Sequence, residues 1–549
     1  MASNTLSVGS NNMVFGFGTN TKSDSEETAL LSQLRKMSLI LKHLTITPLP
    51  SDRVALNRGI ACFEEMEPLF IQYGRSMRRK LNSTSPVCRL PPELLAELLL
   101  VACHDYLHWK PLEYVPHRGS AATRSLTTPL FLGSICTTWR EIVWSNSRFW
   151  TSFSLEVSVT RSAAQACLLE EWIARTNNQT LSIVLSMEDE ERNSIYDEPD
   201  DGGIIHVLAS HAGQWGEIDF KVPLNWYSAL EGTSASYLPN LSRAIIRLLN
   251  DEDSTYEPVT LFQLAPQLRE VHLHGLSLPE VQVPYHQIEH FEGDCLTIQD
   301  CIEIISQCPK LRECNFSALQ SPDEGHTVTA QGLVSLIITY TRGLQIVSLF
   351  SRLTSPSLQE VHISTSSRGT PFPLSSLISL VTRSTCNLTR LELHHFDREG
   401  QDLRIYLQHL PALIHLCLEM PVFFNDPVTP TLNENLDITS ILEIDLARSP
   451  PILLHLQTFH YAGFVSNTFS YEKLADVLKQ RWSVILTSEV DGSKPVQRLQ
   501  SFSCDFIDFS APSGAADIRL RALLEDGMCI HIKNSCWNEI WTKAEHYYH

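Results

Sequence analysis

A six-residue pattern recurs through the second half of this 549-residue chain and restricts what it can fold into. It reads apolar-x-x-apolar-x-apolar, mostly starting with leucine. Copies are LREVHL from Leu268, IEHFEG from Ile288 (imperfect at its last position), LRECNF from Leu311 and LQEVHI from Leu358. Others are LTRLEL from Leu388, LIHLCL from Leu413, LQTFHY from Leu456 and LQSFSC from Leu499, with WGEIDF from Trp215 as an earlier member. Neighbouring copies lie 20, 23, 25 or 30 residues apart, and wider gaps of 43 to 47 leave room for a degenerate copy. The alternation at the end of each copy predicts a short strand. Helical stripes lie between copies. In TIQDCIEIISQCPK, Ile298, Cys301, Ile302 and Ile305 share one face.

A strand followed by a helix at intervals of about 20–29 residues is the signature of a leucine-rich-repeat solenoid. One such unit cannot bury both its strand and its helix, whereas stacked neighbours bury a continuous core. The competing architecture is a doubly wound sheet of unrelated βα units. In the solenoid, Leu391 and Leu416 fall in the core of parallel strands, and PLSSLISLVTRS, Pro373 to Ser384, forms a convex helix. The residue between the last two apolar positions points the other way, because strand side chains alternate faces. Those residues are His272, Asn315, His362, Glu392, Cys417, His460 and Ser503. A concave sheet is the surface repeat proteins use for partners, so His272, Asn315, His362, Glu392 and His460 are the candidate substrate-binding residues.

The rest of the chain differs in character. Residues 1–27 are rich in Ser, Asn, Gly and Thr and read as a disordered tail. Residues 28–82 read as a helical hairpin. Leu30, Leu34, Met37, Leu41 and Leu44 stripe its first helix, TPLPSD makes the turn, and Val54, Ile60, Phe63 and Leu69 lie on the second. Further on, RSAAQACLLEEWIARTNN predicts a helix with Ala164, Cys167, Leu168 and Trp172 on one face. The loop at 187–203 carries eight carboxylates between Glu188 and Asp201 and reads as solvated.

Net charge is −20, from 42 basic and 62 acidic residues, so nucleic acid is not an expected partner. No apolar run reaches the roughly 18 residues of a membrane span, and no secretory signal is visible, so a cytoplasmic or nuclear location is expected. The 14 cysteines include no C-x-x-C pair. Cys295, Cys301, Cys308 and Cys314 lack zinc-knuckle spacing and read as core thiols. The histidines in or beside the repeat strands, His394 and His395 among them, read as surface residues. There is no G-x-S-x-G, phosphate loop or H-E-x-x-H. The expectation is a non-enzyme with no catalytic residue, metal or cofactor.

Two dense segments precede the array: CRLPPELLAELLLVACHDYLHW from Cys88 and PLFLGSICTTWREIVWSNSRFW from Pro129. Pro91 and Pro92 suit a helix start, and Glu93 complements the helix dipole there. Leu94, Leu95, Leu98, Leu99 and Val101 cover more than one helical face, and Phe131, Ile135, Trp139 and Ile142 form a later stripe. Over Arg89 to Phe153, the ordered combination of LPPE, ICTTWREI and SRFW resembles an F-box-like domain of the type common in fungi; the insert His104 to Thr128 is longer than in a compact F-box. The resemblance implies a mixed α/β chain: a helical hairpin, an F-box-like domain at 86–153, then an irregular leucine-rich-repeat solenoid at 154–549. It implies a substrate adaptor of an SCF-type cullin–RING ubiquitin ligase, binding a Skp-family adaptor and through it cullin, with the repeats binding a protein substrate. Leu90, Pro91, Leu94, Leu98, Ile135, Trp139 and Trp150 are then adaptor contacts or module core. The alternative is a repeat scaffold outside the ubiquitin system.

Overall fold

A computed structural model describes residues 52–104, 129–158, 161–187, 203–231, 238–248, 258–319, 326–340, 342–365, 372–395, 403–420, 437–444, 452–463, 469–483, 497–506, 512–534 and 539–542, with six single helical residues between 32 and 42. The tail, the first helix's stripe, the insert 105–128 and the carboxylates of the acidic loop lie outside the described residues. The chain divides into two compact units, Met1–Leu95 with Ser134–Trp139, and Ala96–Gly133 with Arg140–His549. The divide therefore falls within the segment read as one helical module.

In the first unit, helix α1 (Arg53–Ser83) starts where the Asp52 carboxylate accepts from the Val54 N–H at 3.1 Å. None of its residues is buried, and Val54, Ile60, Phe63 and Leu69 are exposed. A 3-10 turn (Val87–Arg89) leads to α2 (Pro92–His104), which begins at the second proline as expected and continues past Leu95 into the second unit.

Across the divide, α3 (Pro129–Ile135) and α4 (Thr137–Ser145) are separate helices. The break at Cys136 interrupts the anticipated stripe from Phe131 to Ile142: Leu132, Gly133 and Val143 are buried instead. A Cβ at Gly133 would stand 1.9 Å from the Trp144 ring, which would have to move to admit it. Trp150 is 1% exposed. Its indole N–H donates to the Val143 carbonyl at 3.0 Å, its ring meets Trp144 and Trp172 edge-on, and the Arg175 guanidinium lies 5.1 Å above it. Trp150 is thus packing core of the second unit, not a partner contact.

The strands are β1 (Ser152–Val157), β2 (Leu181–Met187), β3 (Trp215–Val222), β4 (Arg243–Leu248), β5 (Glu270–His274), β6 (His290–Asp294), β7 (Glu313–Ser317), β8 (Val328–Thr329), β9 (Ser335–Tyr340), β10 (Leu353–Thr354), β11 (Glu360–Thr365), β12 (Arg390–His394), β13 (His415–Glu419), β14 (Thr458–Gly463), β15 (Ser501–Phe506), β16 (Cys529–Asn534) and β17 (Glu539–Thr542). Among them run α5 (Ser162–Ala174), α6 (Ile204–Ser210), α7 (Leu224–Glu231), α8 (Ile298–Gln307), α9 (Gly343–Arg352), α10 (Leu374–Ser384), α11 (Leu403–Leu407), α12 (Ile438–Leu442), α13 (Tyr471–Ser483) and α14 (Gly514–Glu525).

Fifteen strands form one sheet in chain order, β1 to β7, β9, then β11 to β17; β8 and β10 pair separately. Neighbours in the large sheet pair in parallel until the last, β16 with β17, which is antiparallel. The order never reverses, whereas a doubly wound sheet reverses at a switch point. One backbone bond repeats at the entry to each strand. The Arg269 N–H donates to Ser242 O (2.9 Å), Glu289 to Arg269 (2.8 Å), Arg312 to Glu289 (2.8 Å) and Val334 to Arg312 (2.7 Å), and the series continues through Gln359, Thr389, Ile414, Gln457 and Gln500 to Cys529. The residue just past β5, β6, β7 and β12 is left-handed: Gly275 (φ 72°), Cys295 (56°), Ala318 (48°) and His395 (54°). Three of these are not glycine, so the recurring turn holds against a cost of about 1–2 kcal/mol each.

Every apolar position of the pattern points into one continuous core, which the helices share. Leu391 (β12) and Leu416 (β13) are register partners and both buried. On α8, Ile298, Cys301, Ile302 and Ile305 are buried, and Thr297 with Asp300 makes a reciprocal cap. The α5 face differs from expectation: Ser162, Ala166, Leu169 and Ile173 are buried, while Cys167 and Leu168 are exposed. That helix is apolar on several sides, so periodicity alone does not select the face its neighbours cover.

Of the wide gaps, one contains the expected degenerate copy: β9, with Leu333, Leu336 and Ile338 buried. The gaps before Leu456 and Leu499 place no strand between their neighbours: β13, β14 and β15 pair directly. Those longer connections carry α12 and α13. Fully buried Arg481 ties them down, its guanidinium donating to the carbonyls of Leu442 (2.6 Å), Leu453 (2.5 Å) and Ile452 (3.4 Å). Burial pushes its pKa down to about 10. No described helix is long and apolar enough to cross a membrane.

Leu391→Ala and Leu416→Ala should each cost about 2–5 kcal/mol in urea unfolding. Leu168→Ala, on the exposed face of α5, should cost about 0.5 kcal/mol or less.

Candidate functional site

Parallel, in-register pairing places equivalent side chains of adjacent strands about 4.7–4.9 Å apart. The sheet face opposite the helices therefore carries continuous rows of side chains. One row runs His272, Glu292, Asn315, Ile337, His362, Glu392, Cys417, His460, Ser503, His531, each the register partner of the next. All five sequence-derived substrate residues stand in it. Cys417, also expected to point outward, is only 6% exposed. A parallel row runs Arg243, Glu270, His290, Glu313 and, beyond Ser335, Glu360, Arg390, His415. Along much of both rows, acids sit beside imidazoles or guanidinium groups.

Two parts of this face are dense. Around β5 and β6, His272 places Nε2 2.7 Å from Glu270 Oε1 and Nδ1 3.2 Å from Glu292 Oε2. His274 Nδ1 lies 3.1 Å from Asp294 Oδ2, and Arg243 Nε 2.9 Å from Glu270 Oε1. Burial alone would depress His272, but its bonds to Glu270 and Glu292 leave it raised. Glu270 and Glu292 are lowered, first by the hydrogen bond from His272.

Around β11 to β14, three imidazoles surround one carboxylate. Glu392 Oε2 lies 2.8 Å from His362 Nδ1 and 3.5 Å from His394 Nε2. Glu392 Oε1 lies 3.2 Å from His415 Nε2 and 2.6 Å from Arg390 Nη2. His394 Nδ1 lies 2.7 Å from Glu419 Oε2, and His460 Nε2 3.6 Å from Glu419 Oε1. The His362 and His394 rings stack at 4.3 Å. The bond from His362, then those from His394 and His415, hold Glu392 well below the usual carboxylate range. Glu419 is lowered likewise, first by His394. His394 is pushed up to about 9 by Glu392 and Glu419. An open groove of about 490 Å³ adjoins this cluster, with His290, Glu313, Glu360, His362, Arg390 and Glu392 among its lining.

The helical residues differ in accessibility. On α2, Leu94 is 57% and Leu98 55% exposed, and Val101, one turn on, is exposed too. The spacing is i, i+4, i+7, a single stripe. Leu95, Leu99 and Leu100 are buried. Pro91 and Ile135 are exposed, whereas Leu90 and Trp139 are half-buried.

Sequence reasoning found the row of five and missed its partners. His394, His415 and Glu419 belong to flanking rows, two residues along or one strand over, and only strand register brings them together. The signal was present in LELHH and LIHLCLE, whose outward positions are all acid, histidine or cysteine. No protein-family model matches the chain, and no curated protein matches it.

Since His394 is held above its ordinary 6.5, its pairing stabilises the fold fully below that pH and is lost as pH rises through about 9. His394→Asn should therefore destabilise the chain more at pH 6 than at pH 10, by on the order of 1–2 kcal/mol in urea titrations.

Proposed function

We propose that this chain is the substrate-recognition subunit of an SCF-type cullin–RING ubiquitin ligase. In this reading residues 86–153 form an F-box-like module that docks on a Skp-family adaptor, and through it on cullin. The strand–helix array is an irregular leucine-rich-repeat solenoid that holds a protein substrate on the open face of its sheet. The chain supplies no catalytic group. It acts by proximity, raising the effective concentration of substrate beside a ubiquitin-charged enzyme.

The observation that carries this reading is the exposed stripe of Leu94, Leu98 and Val101 on a helix that opens with Leu-Pro-Pro-Glu. Covering a leucine side chain releases about 1.5–3 kcal/mol, so the stripe is a source of docking energy that folding leaves unused. The sheet face supports the second half of the reading. Its interleaved acids, imidazoles and guanidinium groups offer donors and acceptors to a segment bearing charges of both signs, not to a uniformly acidic or basic one.

Co-purification with a Skp-family adaptor tests the docking. The wild-type chain should retain the adaptor, and Leu94→Asp with Leu98→Asp should abolish retention. Both positions are exposed, so the introduced carboxylates are hydrated in the free chain and its melting temperature should hold. Unchanged retention in the double variant contradicts the docking assignment. A wild-type chain that captures partners but never the adaptor is instead a repeat scaffold outside the ubiquitin system. Once a substrate is in hand, replacing His272, His362 and His460 with Ala should weaken its capture without changing adaptor retention.

A further inference from the structure

We propose that His362, Glu392 and His394 form a binding site for a divalent ion of the zinc class. One ring nitrogen each of His362 and His394 and a Glu392 carboxylate oxygen lie within 4.8 Å of one another on two adjacent parallel strands. The strand register fixes this set: His362 and Glu392 are register partners, and His394 stands two residues further on the same face. Two imidazoles and a carboxylate are a donor set that suits zinc and its transition-metal neighbours; magnesium and calcium favour oxygen-rich sites.

A second observation points to a ligand here. His394 Nε2 is shut off from solvent, and its long contact with Glu392 Oε2 lacks the geometry of a full hydrogen bond. It faces Glu392 Oε2 at 3.5 Å. The other ring nitrogen, Nδ1, donates to Glu419 Oε2 at 2.7 Å. That is the arrangement in which an outer carboxylate orients a metal-binding histidine, fixing its Nδ1–H and leaving Nε2 to ligate. Glu392 is similarly prepared. Arg390 and His415 occupy its Oε1, so Oε2 is the oxygen turned to His362 and His394. As the ion enters, any protons on His362 Nδ1 and His394 Nε2 pass to solvent. Coordination at about 2.0–2.2 Å draws the three atoms closer than 4.8 Å, and the stacked rings turn about χ2, a soft torsion.

The neighbouring clusters lack these features. Both nitrogens of His272 are engaged, by Glu270 and Glu292. Cys417, beside Glu419, is buried, and burial pushes its thiol up, away from the thiolate a metal needs.

Titration of chelator-treated full-length protein with Zn²⁺ by calorimetry tests the assignment. The expected result is a single tight equivalent standing above any weak binding by the other histidines, with no tight binding of Mg²⁺. His362→Asn and His394→Asn should each weaken the tight phase at least about tenfold, and Glu419→Gln about tenfold, as loss of an orienting group does. His274→Asn should leave it unchanged. Far-UV circular dichroism of each variant separates lost ligands from lost fold, and His362→Asn, furthest from the Glu419 contact, remains informative if His394→Asn unfolds. A wild-type protein with no tight phase, or a tight phase that survives in folded His362→Asn and His394→Asn, overturns the proposal. So does a tight phase lost in His274→Asn, which places the ion on β5 and β6.

Discussion

In-register parallel pairing is the constraint on which the rest of this structure depends. The backbone bond that ties Arg269 to Ser242, Glu289 to Arg269 and Arg312 to Glu289 repeats as far as Cys529 without a missed step. Each bond sets the register of the next strand. A one-residue slip at any strand would send its apolar set to the open face and its charges into the core. The leucines of the pattern enforce the register from one side, because Leu391 and Leu416 are buried only when they are partners. Connections of different length hang from this ladder without disturbing it. Where the copies stand 43 residues apart, a buried arginine donates to three carbonyls of the lengthened connections.

The same register that stacks leucine on leucine stacks polar groups on the opposite face, where like charges at strand spacing would repel. The chain answers with alternation: Arg243 beside Glu270, His272 beside Glu292, His362 beside Glu392 and His394 beside Glu419. Carboxylates are held below their usual range and imidazoles such as His272 and His394 above it, so each partner stabilises the other's charge. A face built this way is rigid without being apolar. Groups held this way are already ordered before any contact, which is what the proposed reading asks of a binding face.

Much of this was legible in the sequence because strand periodicity is a local property. LRECNF and LTRLEL each fit one strand of the observed sheet, and TIQDCIEIISQCPK its helix and cap. The copy at Leu333 is hard to see although Leu333, Leu336 and Ile338 fit the pattern, because apolar Val334 and Ile337 fill positions that are polar in most other copies. What the sequence does not contain is lateral order. Nothing local distinguishes His394, whose ring nitrogens face two carboxylates, from exposed His395 beside it. Nor does periodicity separate Leu94 and Leu98 from Leu95 and Leu99, since all four fit a helix apolar on several sides. The structure divides them into exposed and buried pairs. Trp150 is the converse case: placed in the resembling motif as a contact or core residue, it is enclosed by Trp144, Trp172 and Arg175.

In the proposed reading an adaptor covers the α2 stripe and a substrate lies on the open face of the sheet. Hydrogen–deuterium exchange of the full chain with and without a purified Skp-family adaptor reads both surfaces at once. The account predicts slowed exchange across Pro92–His104 and unchanged exchange in β5, β6, β11, β12 and β13. Slowed exchange on the strands with none on the helix, or no change anywhere at saturating adaptor, contradicts it.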